Sequence, residues 1–396
     1  MNESTPRSWG FGRAVGVALA GLLALATGVH AQSTRIAPAT ITSDVITPEQ
    51  DQEIDRFVGE HAPKLRSDDP RDVRDARRAL LEPLGGSSVK VAFRLKYAER
   101  LMPELARLID DPAVKDNPVA QARAIAALVI AGDLATRESV TALVGALSAS
   151  RDDIRHQAAY GIRRVFEALS AAQPATDINT CMQAVRALRD RMTQEKNDLV
   201  LDAIANALLA GGTVEAANYD TLRPEAIKAL SQGVQTIVRR TEARADDRAV
   251  LNLLLRASAV RDVIARSRTR MPADALIEAG AIGGDLVGFC VRAARAERIP
   301  MGEIDPTKIP PGADVPLREL FAQTSQAGET LILFVGQQSG TPGFDAAPLN
   351  LGARLRTGTK QGDATFITDA GRLIGPQGTL TRPPYSLSPD RFAGGR

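Results

Sequence analysis

Amphipathic helical patterns follow one another through the middle of the chain, from about residue 90 to residue 210, and constrain the fold more than any other feature. Asn117-Pro118 begins one of them, with apolar residues recurring at spacings of three and four. Gly132-Asp133 ends that pattern, Thr136 begins the next, and Asp152-Asp153 begins a third. Each pattern is about 12 to 18 residues long, and short polar turns separate them. The sequence therefore predicts an all-α fold.

The helical patterns superpose on one another at a nearly constant spacing. A shift of 35 residues places Ala124 on Ala159, and a shift of 41 residues places Val140 on Cys181. Periods of this length, with two helices in each, are typical of α-solenoids, in which each helix pair buries its apolar side against the next pair.

Over about residues 70–270 the chain resembles HEAT and armadillo-type repeat proteins. The resemblance is best over 117–169, where Asp152-Asp153-Ile154-Arg155 followed by Ala158-Ala159 is similar to the start of the second helix of a HEAT repeat. It implies an α-solenoid of HEAT-like helix pairs that binds another protein along a concave surface. Longer connections at 171–176 and 211–220 depart from the family pattern.

The predicted helical-repeat domain spans residues 47–298. It begins at Thr47-Pro48, where threonine is a good helix cap and proline suits the first helical position. Residues 32–46 before it are predicted to be a flexible lead-in. Near its end, the helical pattern over 275–294 is predicted to be interrupted at Gly283-Gly284.

The end of the chain differs in composition from the repeats. Residues 299–329 are predicted to be a proline-rich linker with a short helix. Residues 330–396 are predicted to be a low-complexity, largely irregular Gly/Pro-rich tail, because 336–396 contains 11 glycines and 6 prolines in 61 residues. Within that tail, 330–335 could form a strand or a buried apolar tether, and Phe366-Ile367 with Leu373-Ile374 could form a marginal hairpin. A chain ending near Arg298 should therefore keep its helical circular dichroism.

Residues 1–31 have the pattern of a secretory signal peptide. Arg7 and Arg13 precede the uncharged stretch Ala14–Val29, and Val29-His30-Ala31 matches a cleavage site that leaves Gln32 as the new N-terminus. The uncharged stretch is shorter than the roughly 20 apolar residues that a spanning helix needs. We therefore predict an exported protein, periplasmic or extracellular, with no integral membrane span after cleavage.

The charge of the chain excludes one large class of partners. Forty-nine lysines and arginines face 47 aspartates and glutamates, so the formal net charge is only +2. A nearly neutral chain gives no general electrostatic reason to bind nucleic acid, and none is predicted as a partner.

No catalytic, cofactor-binding or metal-binding residues are predicted. After cleavage only His61 and His156 remain, 95 positions apart, whereas metal ligands cluster at short spacings. A serine nucleophile also needs a base, and only these two histidines are available. Cys181 and Cys290 fit apolar helical positions, and whether they pair with each other stays open.

Asp68, Asp69, Asp72 and Asp75 form an acidic cluster that we interpret as helix capping, since it lacks the glycine and terminal glutamate of a calcium-binding EF-hand loop. The predicted function is an exported, non-enzymatic binding scaffold that presents a helical-repeat surface to another protein. Two alternatives stay open: an envelope or cell-wall carbohydrate-active enzyme using paired carboxylates such as Asp68, Asp69 and Asp72, and a structural envelope component. The sequence does not specify the partner or the oligomeric state.

Overall fold

The computed structural model describes residues 35–86, 88–171, 175–241, 247–342, 344 and 347–393. Over these residues the regular structure is helical, and the only extended pairing is a parallel bridge between Thr136 and Ala175. The predicted all-α class is thereby confirmed. The predicted signal peptide over 1–31 lies outside the described residues. No helix in the described part of the chain is long and apolar enough to cross a membrane.

Seventeen α-helices lie in the described part of the chain, joined by turns and short 3₁₀ segments. In chain order they are α1 (Pro38–Ile41), α2 (Pro48–His61), α3 (Pro70–Leu81), α4 (Val91–Ile109), α5 (Pro118–Leu134), α6 (Arg137–Ala146), α7 (Asp152–Ala171), α8 (Ile178–Gln194), α9 (Asp198–Gly212), α10 (Leu222–Thr241), α11 (Asp247–Ala257), α12 (Val260–Ala265), α13 (Ala273–Arg295), α14 (Leu317–Gln338), α15 (Leu351–Arg356), α16 (Lys360–Ile374) and α17 (Asp390–Ala393).

Local capping explains where several helices begin. The Thr47 hydroxyl accepts from the Gln50 amide, and the Gln50 side chain accepts from the Thr47 amide, so α2 starts with a complete capping box. The Asp69 carboxylate and the Asn117 side chain accept from first-turn amides of α3 and α5, each of which has proline at its first position. The starts predicted at all three positions are confirmed.

Alternate helices pack against each other in two series. One series runs α3, α5, α7, α9, α11 and α14, and the other runs α2, α4, α6, α8, α10, α13 and α16. Contacts between chain neighbours, such as α4 with α5 and α9 with α10, join the two series. Each helix therefore buries its apolar side against helices close to it in sequence.

Small residues lie where the helices approach most closely. Ala124 on α5 and Ala159 on α7 are fully buried. At the contact between these helices, a Cβ atom added to Gly132 would lie 2.8 Å from the Cα atom of Gly161. Two helices can approach this closely only because neither glycine carries a side chain.

The prediction of a mostly irregular tail over 330–396 is wrong. The helix α14 runs through the predicted strand at 330–335, and α16 covers both halves of the predicted hairpin. The glycines that suggested irregular structure include positions of close packing. A Cβ atom on Gly336, for example, would lie 2.0 Å from the Phe344 ring. Composition alone does not distinguish such contact positions from flexible ones.

The predicted linker boundary at residue 329 and the predicted break at Gly283-Gly284 are wrong as well. Leu317–Gln338 is one 22-residue helix, which crosses the predicted boundary and packs along α13. The helix α13 continues through both glycines because other elements cover them. A Cβ atom on Gly284 would lie 2.4 Å from Leu380 and from the Phe392 ring.

The described part of the predicted flexible lead-in is attached to α2. Ile36 and Thr40 are buried. The Ala37 amide donates to one oxygen of Glu53 at 2.7 Å, and the Thr40 hydroxyl donates to the other at 2.6 Å. These contacts fix the start of the described chain on α2, whereas the sequence predicted a flexible segment there.

Candidate functional site

His61 and His156 lie on different helices. His61 is buried at the C-terminal end of α2 against the Phe57 ring, with a centroid separation of 4.6 Å. His156 is half-buried on α7. In the described part of the chain, no group of three or more histidine, cysteine, aspartate or glutamate side chains is placed to hold a metal ion.

The two cysteines are free, which answers the question that the sequence left open. Cys181 lies buried on α8 and Cys290 lies buried on α13. Burial raises the pKa of the Cys181 thiol to about 12 and raises the pKa of the Cys290 thiol further. A thiol that stays protonated at neutral pH is a poor nucleophile, so both act as small core residues.

The aspartates proposed for the enzyme alternative serve the start of α3. Asp69 caps the helix through the Arg71 amide at 2.8 Å, and Asp72 accepts from the Ser67 hydroxyl at 2.7 Å. Asp68 forms an ion pair with Arg123. All three aspartates are exposed. The structure therefore places them in surface capping and ion-pair contacts.

A groove of about 680 Å³ lies between α4 and α6, and we call it the α4–α6 groove. Its lining residues are Ala98, Glu99, Met102, Pro103, Ala106 and Asp110 from α4 and the turn after it, and Arg137, Glu138, Thr141, Ala142 and Gly145 from α6. The residues from α4 recur at spacings of three and four, so one side of that helix forms one wall. Its size falls within the roughly 300–1,000 Å³ range of ligand sites.

The middle of the groove is apolar and open to approach. Met102, Pro103 and Ala106 line one wall, and Ala142 and Gly145 line the other. A Cβ atom on Gly145 would meet nothing within 4 Å, so this part of α6 presents bare backbone. A concave surface with an apolar middle and polar edges can accept part of a partner molecule.

Pro103 adds a polar feature to the apolar wall. Proline has no amide hydrogen, so the Glu99 carbonyl lacks the donor that a helix normally supplies four residues later. Both residues line the groove. Pro103 therefore leaves the Glu99 carbonyl without its usual helical hydrogen bond.

The charges around the groove are mainly negative. Glu99, Asp110 and Glu138 contribute three carboxylates, and Arg137 contributes one guanidinium group. Lys96 approaches Glu99 at 2.9 Å from outside the lining. The lining residues alone carry two formal negative charges. Lys96 offsets one of them, and the remaining negative charge favours a positively charged group on an occupant.

Sequence reasoning missed the groove because its residues fit ordinary helical patterns. Pro103 within the helical pattern of α4 was the available signal, since proline is unfavourable in a helix interior. The pairing of α4 with α6 was not available from local patterns, because it depends on packing between helices separated by α5.

A buried ionic cluster lies outside the groove and links α7 to the connection between α8 and α9. Arg155 donates to Glu195 at 2.7 Å, and both side chains are buried. Burial alone would raise the pKa of Glu195, but hydrogen bonds from Arg155 and from the Asn197 and Lys196 amides lower it to about 2. Asp152 also accepts from Arg155. Asp152 and Arg155, both from the sequence Asp152-Asp153-Ile154-Arg155, thus form an ion pair within the fold.

The chain was compared with known proteins in three ways. No protein-family model matches it, and no curated protein is significantly similar to it. The crystal structure of an engineered protein is 15% identical, covering 84% of this chain and 93% of the engineered chain, with a TM-score of 0.23. That similarity carries no conclusion about fold or function.

Proposed function

We propose that this protein is an exported, non-enzymatic binding scaffold that presents the α4–α6 groove to another protein. The observation that carries the proposal is the open apolar groove with acidic edges on neighbouring helices. The capping and ion-pair contacts of Asp68, Asp69 and Asp72 favour this function over the carbohydrate-active alternative, because glycoside hydrolysis needs carboxylates flanking a bound sugar.

The proposed architecture is an α-solenoid of HEAT-like helix pairs. The packing of alternate helices in two series supports it, since each helix contacts its sequence neighbours and next-but-one neighbours. In such an array, equivalent helices lie side by side and leave a furrow between them. The α4–α6 groove is a furrow of this kind within the second series.

The proposed occupant is a basic, amphipathic segment of a protein partner. Its apolar side chains would cover Met102, Ala106 and Ala142, while its lysines or arginines would face Glu99 and Glu138. A helix that places an apolar side in a groove is a common mode of peptide recognition. Complementary charge at the edges of the groove would add specificity and speed association.

The proposed export rests on the N-terminal pattern of Arg7, Arg13 and Val29-His30-Ala31. We expect the intact mass of the protein recovered from outside the cytoplasm to correspond to a chain beginning at Gln32. A recovered protein that retains Met1 would contradict the proposed cleavage.

Gly145→Trp tests the groove directly. The tryptophan would project from a position where a Cβ atom meets nothing within 4 Å, so it should fill the groove without disturbing the fold. Gly59→Trp is the matched control, because Gly59 is also an exposed helical glycine with open space around its Cβ position. The measurement is cross-linked capture from the cell-envelope fraction, followed by mass spectrometry.

We expect one protein to be captured by the wild type and by Gly59→Trp, and to be lost with Gly145→Trp. Glu99→Lys combined with Glu138→Lys should weaken the same capture by reversing the charge at the groove. Equal capture by all the variants would show that the partner binds elsewhere, and the groove would lose its proposed role.

A further inference from the structure

A second pocket lies far along the chain from the groove, where α13, α14 and the C-terminal segment meet. Its volume is about 490 Å³. The lining residues are Arg270, Met271, Pro272, Ala273, Leu276, Ile277, Val335, Ser339, Thr341, Pro384 and Tyr385. The predicted function uses none of these residues.

The interior of this pocket is apolar and firmly built. Met271, Leu276 and Val335 are buried apolar residues. Tyr385 forms another wall and is fixed in place, because its hydroxyl donates to the Ile332 carbonyl on α14. A pocket lined mainly by apolar groups with a few polar groups at one side is the usual form of a small-molecule site.

The polar side of the pocket is cationic. The Arg270 guanidinium donates to the Ser339 carbonyl at 3.2 Å and has no carboxylate partner in the described part of the chain. The hydroxyls of Ser339 and Thr341 lie 2.9 Å apart beside it. Among the described residues, none of those that line the pocket is acidic. An arginine in this position can donate two parallel hydrogen bonds to a carboxylate or a similar anion.

Asp274, four residues after Arg270, and Glu215, which contacts the backbone of Arg268, are already engaged with other groups. Asp274 pairs with Lys228 at 2.7 Å. Glu215 accepts from the Arg268 amide at 2.7 Å and pairs with Arg223 at 3.4 Å. Within the part of the chain that the structure describes, no carboxylate therefore neutralises Arg270 at the pocket.

We propose that this pocket binds a small organic anion with an apolar body, such as a medium-chain carboxylate. The apolar chain would lie against Leu276, Val335 and Tyr385, and the carboxylate would accept from Arg270. No chemical step is involved, because the described pocket offers a cation and hydroxyls but no base beside them.

Calorimetric titration of the full chain tests this assignment, with sodium octanoate, octanol and sodium acetate as probes. We expect octanoate to bind one site, octanol to bind at least tenfold more weakly, and acetate to show no binding. Arg270→Gln should weaken octanoate about tenfold or more, since a hydrogen bond to a charged group is lost, and should leave octanol within about twofold. Arg186→Gln, at an exposed arginine on α8, is the control.

Ala273→Trp tests the apolar part of the same pocket. Ala273 is exposed at the start of α13, so tryptophan there should cover the pocket while the chain stays folded, and octanoate binding should be lost. Ala122→Trp, at an exposed alanine on α5, is the matched control and should bind octanoate normally.

Several results would overturn the proposal. They are an absence of octanoate binding, equal affinity for octanoate and octanol, and undiminished octanoate binding by Arg270→Gln or by Ala273→Trp. Binding to phosphatidylglycerol vesicles without binding of monomeric octanoate would assign the surface to a membrane instead. Because the groove variants lie on α6 and α4, their outcome is independent of this one.

Discussion

The contact between α13 and α14 should make a glycine-to-alanine change destabilising, although the same change usually strengthens a helix. A Cβ atom on Gly283 would lie 2.8 Å from the Gly328 carbonyl oxygen and 2.8 Å from Ile332 Cγ1. The Gly328 oxygen belongs to the backbone of α14, so it cannot move by a change of side-chain rotamer. The two helices would have to separate by roughly half an ångström to restore ordinary contact.

The magnitude follows from two opposing effects. Overpacking a close contact costs about 1–3 kcal/mol, whereas alanine in place of glycine in a helix contributes about 0.5–1 kcal/mol of stability. Gly283→Ala should therefore lower the free energy of unfolding by up to about 2.5 kcal/mol. Gly371→Ala on α16 is the control, because a Cβ atom there meets nothing within 4 Å and only the favourable effect remains.

Urea denaturation followed by circular dichroism measures both changes. We expect the midpoint to fall for Gly283→Ala and to rise for Gly371→Ala, with the denaturant slope unchanged in both. Gly328→Ala should resemble Gly283→Ala, since its Cβ atom would lie 2.7 Å from the Gly283 oxygen. The double variant should cost less than the sum, because one separation relieves both clashes. A rise in the midpoint for Gly283→Ala would refute this packing.

Two further predictions concern the tail and the buried ionic cluster. A chain ending at Arg298 should lose solubility or cooperative unfolding, seen by gel filtration and urea denaturation, because it exposes the buried side of α13. A truncated chain that unfolds as cooperatively as the full chain would argue against this packing. Glu195→Gln should lower the free energy of unfolding at neutral pH by about 2–3 kcal/mol, because Arg155 then keeps a buried charge with a weaker partner. The folded pKa of Glu195, about 2, lies below its ordinary value of 4.5, so its stabilisation is present above pH 4.5 and declines as pH falls toward 2. The difference between wild type and Glu195→Gln should therefore shrink over that range, and a constant difference would contradict the assignment.

Local patterns predicted the helix starts well because capping is a local interaction. The side chains of Thr47, Asp69 and Asn117 meet amides two or three residues away, so the sequence holds both partners side by side. The apolar residues of each helix also recur within three or four positions of one another, so that pattern can be read from a short stretch of sequence. This explains why the helices around these three positions were predicted and the all-α class with them.

The tail was predicted wrongly because its glycines and prolines act through distant contacts. Gly328 lies against Gly283, and Gly336 lies against the Phe344 ring, whereas composition registers only that glycine is frequent. The run Leu331–Val335 suggested a strand because it is apolar without helical spacing. In the folded chain that part of α14 is mainly buried, so it needs no polar side.

The candidate sites were beyond sequence reasoning for the same reason. Arg270 belongs to a basic run that reads as a solvated surface, and Tyr385 lies more than a hundred residues later in the predicted tail. Only the packing of α13, α14 and the C-terminal segment places the two around one pocket. The residue types indicate what chemistry each side chain can perform, but only tertiary packing brings Arg270 and Tyr385 together.

Buried charges help to hold the Gly/Pro-rich C-terminal segment, which follows α13, in one place. Arg318 on α14 donates to the Pro300 and Leu355 carbonyls and pairs with Asp363. Arg391 on α17 pairs with Asp285 of α13 at 2.8 Å.

Each of these side chains is costly to bury without its partner, so displacement of the segment would expose or isolate charges as well as apolar surface. The contribution of these ion pairs to the free energy of unfolding thus depends on the geometry of each pair as well as on its burial. The pocket beside Arg270 takes part of its wall, Pro384 and Tyr385, from this segment and should need it. The α4–α6 groove is lined by residues far from the segment in sequence. Loss of the segment should therefore abolish the first site directly and affect the second only through the stability of the helices between them.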